Sequence, residues 1–171
     1  MKFVSFKHNN VEKFGIIENN LITDLTGKIG GASNLKELIK IKKIKEAKEY
    51  VINNPGSIKT DEIEYTPLIP NPGKIICVGL NYIEHAKETN RTVEENPVIF
   101  HRFPESQTAH MQAIQRPSVS KTLDFEGEMA VIMDEGGKHI KPENALKHIV
   151  GFSCYNEATI REWQRLSLIH I

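Results

Sequence analysis

In Asp124-Phe125-Glu126-Gly127-Glu128-Met129-Ala130-Val131, two carboxylates stand two residues apart in a β-prone run. A strand's period of two puts Glu126 and Glu128 on one face, roughly 6–7 Å apart along the strand, with Ala130 and Ile132 following on that face. Two ionised carboxylates at that separation repel by about 2–3 kcal/mol at an effective dielectric of about 20. A divalent cation between them turns the cost into a gain. Magnesium takes oxygen ligands and keeps water or substrate oxygens in its other positions, so two or three carboxylates make a natural open site. The ordinary alternative for Glu-x-Glu is a solvated strand face.

His85 and Glu88 lie three apart in Asn81-Tyr82-Ile83-Glu84-His85-Ala86-Lys87-Glu88, a spacing that places both on one side of a helix. A carboxylate beside an imidazole orients it and raises its basicity, as a water-activating general base requires. A plain surface helix has the same pattern. Glu157 and Arg161 stand four apart, which reads either as a helix-surface ion pair or as a working set. In the working set Glu157 is a third cation ligand, and Arg161 with Gln164 grips a substrate carboxylate, for which arginine's planar fork is suited. His101, Arg102 and His110 populate the segment after Pro97-Val98-Ile99-Phe100, without the spacing of a zinc site.

The elements that must position these groups are legible in outline. Lys2 to Phe6, Lys13 to Glu18 and Leu21 to Leu25 read as a short β-meander, with Asn19-Asn20 as a two-residue turn. Asn34 caps a helix with Glu37 three residues on, and Leu35, Leu38, Ile41, Ile44, Ala47 and Val51 recur at helical spacing until Asn53-Asn54-Pro55-Gly56 stops it. Pro55, Pro67, Pro70 and Pro72 crowd one segment, which sets a domain boundary near residues 60 to 72. The spacing then predicts strands at Lys74 to Gly79, Val98 to Phe100, Asp124 to Met133 and Val150 to Tyr155, with 101 to 122 mostly loop. Asp134-Glu135-Gly136-Gly137 is a turn leading to Lys138 to Ile140, and Pro142 to His148 supplies two helical turns. Asn156 caps a helix from about Glu157 to Arg165.

Hydrophobic residues at 39% and charged residues at 26% of 171 exclude a disordered chain. Lys plus Arg balances Asp plus Glu at 22 each, which removes the broad attraction that non-specific nucleic-acid or anionic-membrane binding needs. Apolar runs are far short of the ~20 residues that span a bilayer, and the first residues lack a signal peptide's apolar stretch, so a cytoplasmic protein is expected. Cys77 and Cys154 sit in apolar contexts without metal-type spacing, which predicts buried thiols and no disulfide framework.

Four blocks in order resemble the fumarylacetoacetate hydrolase family: Cys77-Val78-Gly79-Leu80-Asn81-Tyr82-x-x-His85-x-x-Glu88; Pro97-Val98-Ile99-Phe100; Leu123-Asp124-Phe125-Glu126-x-Glu128; and Gly151-Phe152-x-x-Tyr155-Asn156-Glu157-x-x-x-Arg161-x-x-Gln164. The resemblance covers about residues 74 to 165 and is strongest to the bacterial-type branch of ureidoglycolate lyase-like or 2-hydroxyhepta-2,4-diene-1,7-dioate isomerase-like proteins. It implies an α+β, β-rich fold: a small N-terminal β-meander-plus-helix domain over 1–70, then over 71–171 the first part of a mixed β-sheet roll. It also implies that Glu126, Glu128 and Glu157 bind Mg²⁺ (or Mn²⁺ or Ca²⁺), with Glu157 where the family has Asp. His85 and Glu88 match the family's water-activating dyad, and Arg161 and Gln164 its substrate-facing positions. The family's Lys after Pro-x-Ile-Phe is replaced by His101-Arg102, which makes Arg102 a candidate substitute in substrate binding.

The implied activity is cleavage of a C–C bond in a 2-oxo or 1,3-dioxo carboxylic acid through a metal-stabilised enolate, with isomerase or decarboxylase chemistry as the alternative. The family pattern continues beyond Gln164-Arg165, whereas Leu166-Ser167-Leu168-Ile169-His170-Ile171 does not follow it, so an incomplete catalytic domain is expected. A catalytically inert association module is the reading from a different class. The resemblance implies a homodimer for the complete protein and a small oxo acid as its partner, with neither nucleic acid nor membrane.

Overall fold

The computed structural model describes residues 1–88 and 95–166, apart from the side chains of His85 and Glu88. Asn9, Asn10, Asn19 and Asn20 take left-handed backbone with φ of 52°, 61°, 50° and 62°. Both central residues of a tight hairpin turn need that conformation, and asparagine tolerates it. The two turns join β1 (Lys2–His8) to β2 (Val11–Glu18) and β2 to β3 (Leu21–Asp24). The sheet is completed by β4 (Ile58–Lys59) and β5 (Glu64–Tyr65), in the antiparallel order β4-β3-β2-β1-β5. Those edge strands fall in and beside the proline-rich stretch that reads from sequence as linker, because only two residues of each pair.

The strand period divides this sheet's side chains. Phe14 and Ile16 enter the larger cluster with Leu25, Ile29, Leu35, Leu38, Ala47 and Val51, while Val4, Phe6 and Ile22 form a second cluster against Ile17, Ile58 and Tyr65. Gly15 is required between them, since a Cβ there would meet the Thr23 carbonyl oxygen at 2.2 Å.

The single helix expected from 34 to 53 is two helices, α1 (Leu35–Lys40) and α2 (Ile44–Asn53). Asn34 caps α1 by accepting the Glu37 N–H at 2.9 Å, as the spacing predicts. The break comes at Lys42, whose φ is 60°. Its N–H donates to Ile39 O at 2.9 Å and that of Lys43 to Leu38 O at 3.2 Å, the paired closing bonds that usually end on glycine. A lysine in that place leaves no trace in a hydrophobic pattern.

Asp24 accepts from Lys13 Nζ at 2.5 Å and from the Thr26 N–H at 2.9 Å. Burial works against its charge, but the Lys13 and Thr26 bonds outweigh burial and hold its carboxyl below the usual range. A folded-state pKa below the unfolded value of about 3.9 stabilises the fold above that pH, and the contribution is lost as pH falls through the folded value. The melting-temperature gap between the wild type and Asp24→Asn is therefore expected to be full at pH 7 and to shrink below about pH 4. A gap unchanged down to pH 2 contradicts this assignment.

Packing divides the chain into two units, one of residues 1–71, 108–114 and 126–157, the other of 72–107, 115–125 and 158 onward. The first unit includes the ribbon of β9 (Gly127–Met133) and β10 (Ile149–Asn156), where Ile132 and Val150 pack on the Phe14 cluster. Lys42 Nζ meets Asp134 at 3.0 Å and Glu135 at 3.6 Å, tying the α1–α2 junction to the end of β9. The second unit pairs β6 (Ile75–Gly79) with β7 (Val98–Arg102) and β8 (Leu123–Asp124) with β11 (Thr159–Ile160), and carries α3 (Ile83–Glu88) and α4 (Arg161–Gln164).

Three expectations are corrected. The strand expected from Asp124 to Met133 is interrupted at Phe125 and Glu126: Leu123 and Asp124 pair with β11, and pairing with β10 begins at Gly127. Residues 138 to 140 are irregular, whereas the helical turns expected at Pro142–His148 form, as a 3-10 helix with Pro142 at its start. Cys154 is exposed, since it shares with Met129, Val131 and Phe152 the outward face of the ribbon; neither it nor the half-buried Cys77 is in a disulfide. Among the described residues no helix is long and apolar enough to cross a membrane.

Candidate functional site

At the end of the ribbon remote from Met133 and Ile149, Glu128 lies opposite Tyr155 and Gly127 opposite Asn156. The Glu157 N–H donates to Glu126 O at 2.8 Å, and the Glu126 N–H donates to Asn156 Oδ1 at 3.0 Å, which carries the ladder one rung further. Paired residues share a face and successive residues alternate, so Glu126, Glu128, Tyr155 and Glu157 fall on one side of the ribbon. It is the side of Ala130 and Ile132, and Ile132 is seated on the first unit's core. Glu126 and Glu128 are half-buried and Glu157 is 9% exposed.

Backbone pairing thus brings together the three glutamates that sequence singles out. Their donors are all hard carboxylate oxygens carrying three negative charges, a set that fits Mg²⁺, Mn²⁺ or Ca²⁺ and not a thiolate-seeking ion. Among the described residues no group of three His, Cys, Asp or Glu side chains is placed to hold a metal ion, so the three glutamates share a side of the ribbon without converging.

Arg161 is arranged differently from a helix-surface pair. Asn156 ends β10, Glu157 takes part in the ladder, and α4 starts only at Arg161, so the helical i,i+4 relation between Glu157 and Arg161 does not arise. The helix expected from Glu157 is displaced because Thr159 and Ile160 pair with Asp124 and Leu123. Arg161 Nε donates to Asp124 Oδ2 at 2.9 Å, Nη2 lies 2.9 Å from the same oxygen, and Nη1 donates to Gln164 Oε1 at 3.1 Å. The two residues assigned to a substrate carboxylate are therefore in mutual contact.

Arg102 Nη2 donates to the Ala158 carbonyl at 2.8 Å. His101 meets Phe103 edge-on and His110 meets Tyr65 edge-on, with ring centroids 5.2 Å and 4.9 Å apart. Both histidines are exposed, His101 on β7 and His110 in a turn. His85 and Glu88 lie on α3, the helix their spacing calls for, with Ala86 buried, while their side chains fall outside the described residues. Sequence reading missed Asp124 as a partner of Arg161 and Asn156 as an acceptor for Glu126. The only signal was their place in the motifs, beside the residues that drew notice.

Residues 74–169 match the model of the family described as fumarylacetoacetate (FAA) hydrolase C-terminal, slightly beyond the 74 to 165 covered by the motifs. The chain is 35% identical over 121 residues to the mitochondrial oxaloacetate tautomerase fahd2 of Xenopus laevis, covering 71% of this chain and 38% of that protein. Its fold superposes with a TM-score of 0.81 on the fumarylacetoacetate hydrolase of the psychrophile Exiguobacterium antarcticum, at 28% identity over 99% of this chain and 61% of that one. A maleylpyruvate hydrolase from Sphingobium sp. SYK-6, in complex with manganese(II) and pyruvate, shares the fold with a TM-score of 0.76 at 18% identity, over 94% of this chain and 60% of that one. The chain thus spans about two fifths of the curated relative's length and three fifths of the two solved structures.

Proposed function

The chain belongs to the fumarylacetoacetate hydrolase family, whose members act as hydrolases, isomerases or tautomerases of oxo acids, and on that premise we propose that it serves a divalent-metal-dependent enzyme that forms the enolate of a small oxo acid. The observation that carries the proposal is the alignment of Glu126, Glu128 and Glu157 on one side at one end of the β9–β10 ribbon. These three residues would hold the cation, Mg²⁺ or Mn²⁺. When bound, it supplies the positive charge against which the negative charge of an enolate accumulates.

The chain's own groups do the rest. Arg161 and Gln164 orient the substrate carboxylate, arginine through its planar fork and glutamine through its amide. His85, paired with Glu88 by their spacing on α3, is assigned the proton-accepting role, from water in a hydrolytic reaction or from carbon in a tautomerisation. Cleavage of the C–C bond of a 1,3-dioxo acid is the first reading. Keto–enol conversion of a 2-oxo diacid is the second, favoured by the 35% identity to an oxaloacetate tautomerase.

Two absorbance assays on the purified chain with Mg²⁺ test both readings, one following loss of an acylpyruvate and one following keto–enol equilibration of oxaloacetate. Turnover above that of the free cation, abolished by a chelator and by His85→Ala, is the expected result. Folded protein with no effect in either assay contradicts the proposal.

A further inference from the structure

We propose that Asp124 is a positioning residue for Arg161, fixing the guanidinium in the orientation that receives a substrate carboxylate; the inference rests on the reading of Arg161 given above. Asp124 Oδ2 takes the Nε–Nη2 edge with both distances at 2.9 Å, while Gln164 Oε1 receives Nη1 at 3.1 Å. The planar head is therefore held at two points in different directions, which removes its rotation about the terminal torsions.

The same short segment also holds the backbone that bears Arg161. The Arg161 N–H donates to Thr122 O at 3.1 Å, the Glu162 N–H donates to Thr122 Oγ1 at 3.2 Å, and the Thr122 hydroxyl donates to the Glu162 carboxylate. A four-residue helix has too few bonds of its own to fix a side chain at its first position, so residues 122 to 124 supply the constraint. With side-chain exposures of 47% for Asp124 and 23% for Arg161, the pair is partly open to water, which screens its contribution to stability. Orientation is what the two-point hold on the guanidinium supplies.

The test uses the full chain labelled with ¹⁵N, saturated with Mg²⁺ and titrated with pyruvate as the probe. The Arg161 Nε–H signal, assigned with Arg161→Lys, is expected to be slowly exchanging in the wild type without pyruvate and to lose that protection in Asp124→Ala. Pyruvate affinity is expected to fall about tenfold in Asp124→Ala, the scale of a lost charge-assisted bond, and to recover largely in Asp124→Asn, which keeps an acceptor in place.

Melting temperatures within about 2 °C of the wild type separate this from a structural role. Persistent Nε–H protection in Asp124→Ala, or unchanged pyruvate affinity, overturns the proposal. If the wild type binds no pyruvate while protection is still lost in Asp124→Ala, the substrate reading of Arg161 fails and the positioning by Asp124 stands.

Discussion

Replacing Glu126 and Glu128 together by glutamine is expected to weaken Mn²⁺ binding by at least about 100-fold, since changes one shell further out already cost 10–100-fold in metal sites. Glutamine keeps the shape and one neutral oxygen but removes two of the three charges on the platform. The variant is also expected to melt no lower than the metal-free wild type. Two half-buried carboxylates on one strand face repel by about 2–3 kcal/mol before solvent screening, and the amides do not. Adding Mn²⁺ should then raise the melting temperature of the wild type alone. At 100 times Kd the stabilisation is about 2.7 kcal/mol. Calorimetric titration with parallel melting curves reads both effects. Binding retained by the double variant would place the cation elsewhere.

Phe14→Ala is expected to cost about 3–5 kcal/mol, the largest loss of stability from any single truncation considered. Phe14 is fully buried at the centre of the cluster that joins the first sheet to α1 and α2. Ile132 and Val150 of the ribbon lean on the same cluster, so a hole there loosens the platform under the three glutamates as well as the sheet. The melting temperature should fall by more than about 10 °C for a unit of this size, and Mn²⁺ affinity should drop with it. Ile52, which is 71% exposed on α2, is the control: Ile52→Ala should stay within about 0.5 kcal/mol of the wild type. Equal losses at the two positions in denaturant titrations would contradict the packing described.

What was legible in the sequence follows from what leaves a periodic or chemical mark. The Asn19-Asn20 turn, the Asn34 cap and the alternation of β9 were readable because each rests on local chemistry. Lys42 was not, because the chain closes α1 with a left-handed lysine where glycine would have announced the stop. Asp124 reads as the start of a long strand, since a strand's pattern does not record the interruption at Phe125 and Glu126. Glu157 was placed on a helix for a related reason: a capping asparagine followed by an acidic residue looks the same whether the ladder continues or stops. The carboxylates themselves were found by type and spacing. Their alignment depends on the register Tyr155 to Glu128, a long-range pairing that local pattern does not record. Cys154 shows the same limit, its apolar neighbours lining an outward face rather than a core.

The proposed function requires this chain to bind a cation and a 2-oxo acid so that an enolate forms. Exchange of the pyruvate methyl protons for deuterium tests it most directly, followed by proton NMR in D₂O with the full chain and Mg²⁺. Pyruvate is the smallest 2-oxo acid and is bound in the Sphingobium hydrolase structure. Exchange is expected to need protein and cation together, to stop with a chelator, and to be lost in the Glu126→Gln/Glu128→Gln variant. Exchange no faster than with Mg²⁺ alone, from folded protein that binds the cation, would contradict the account.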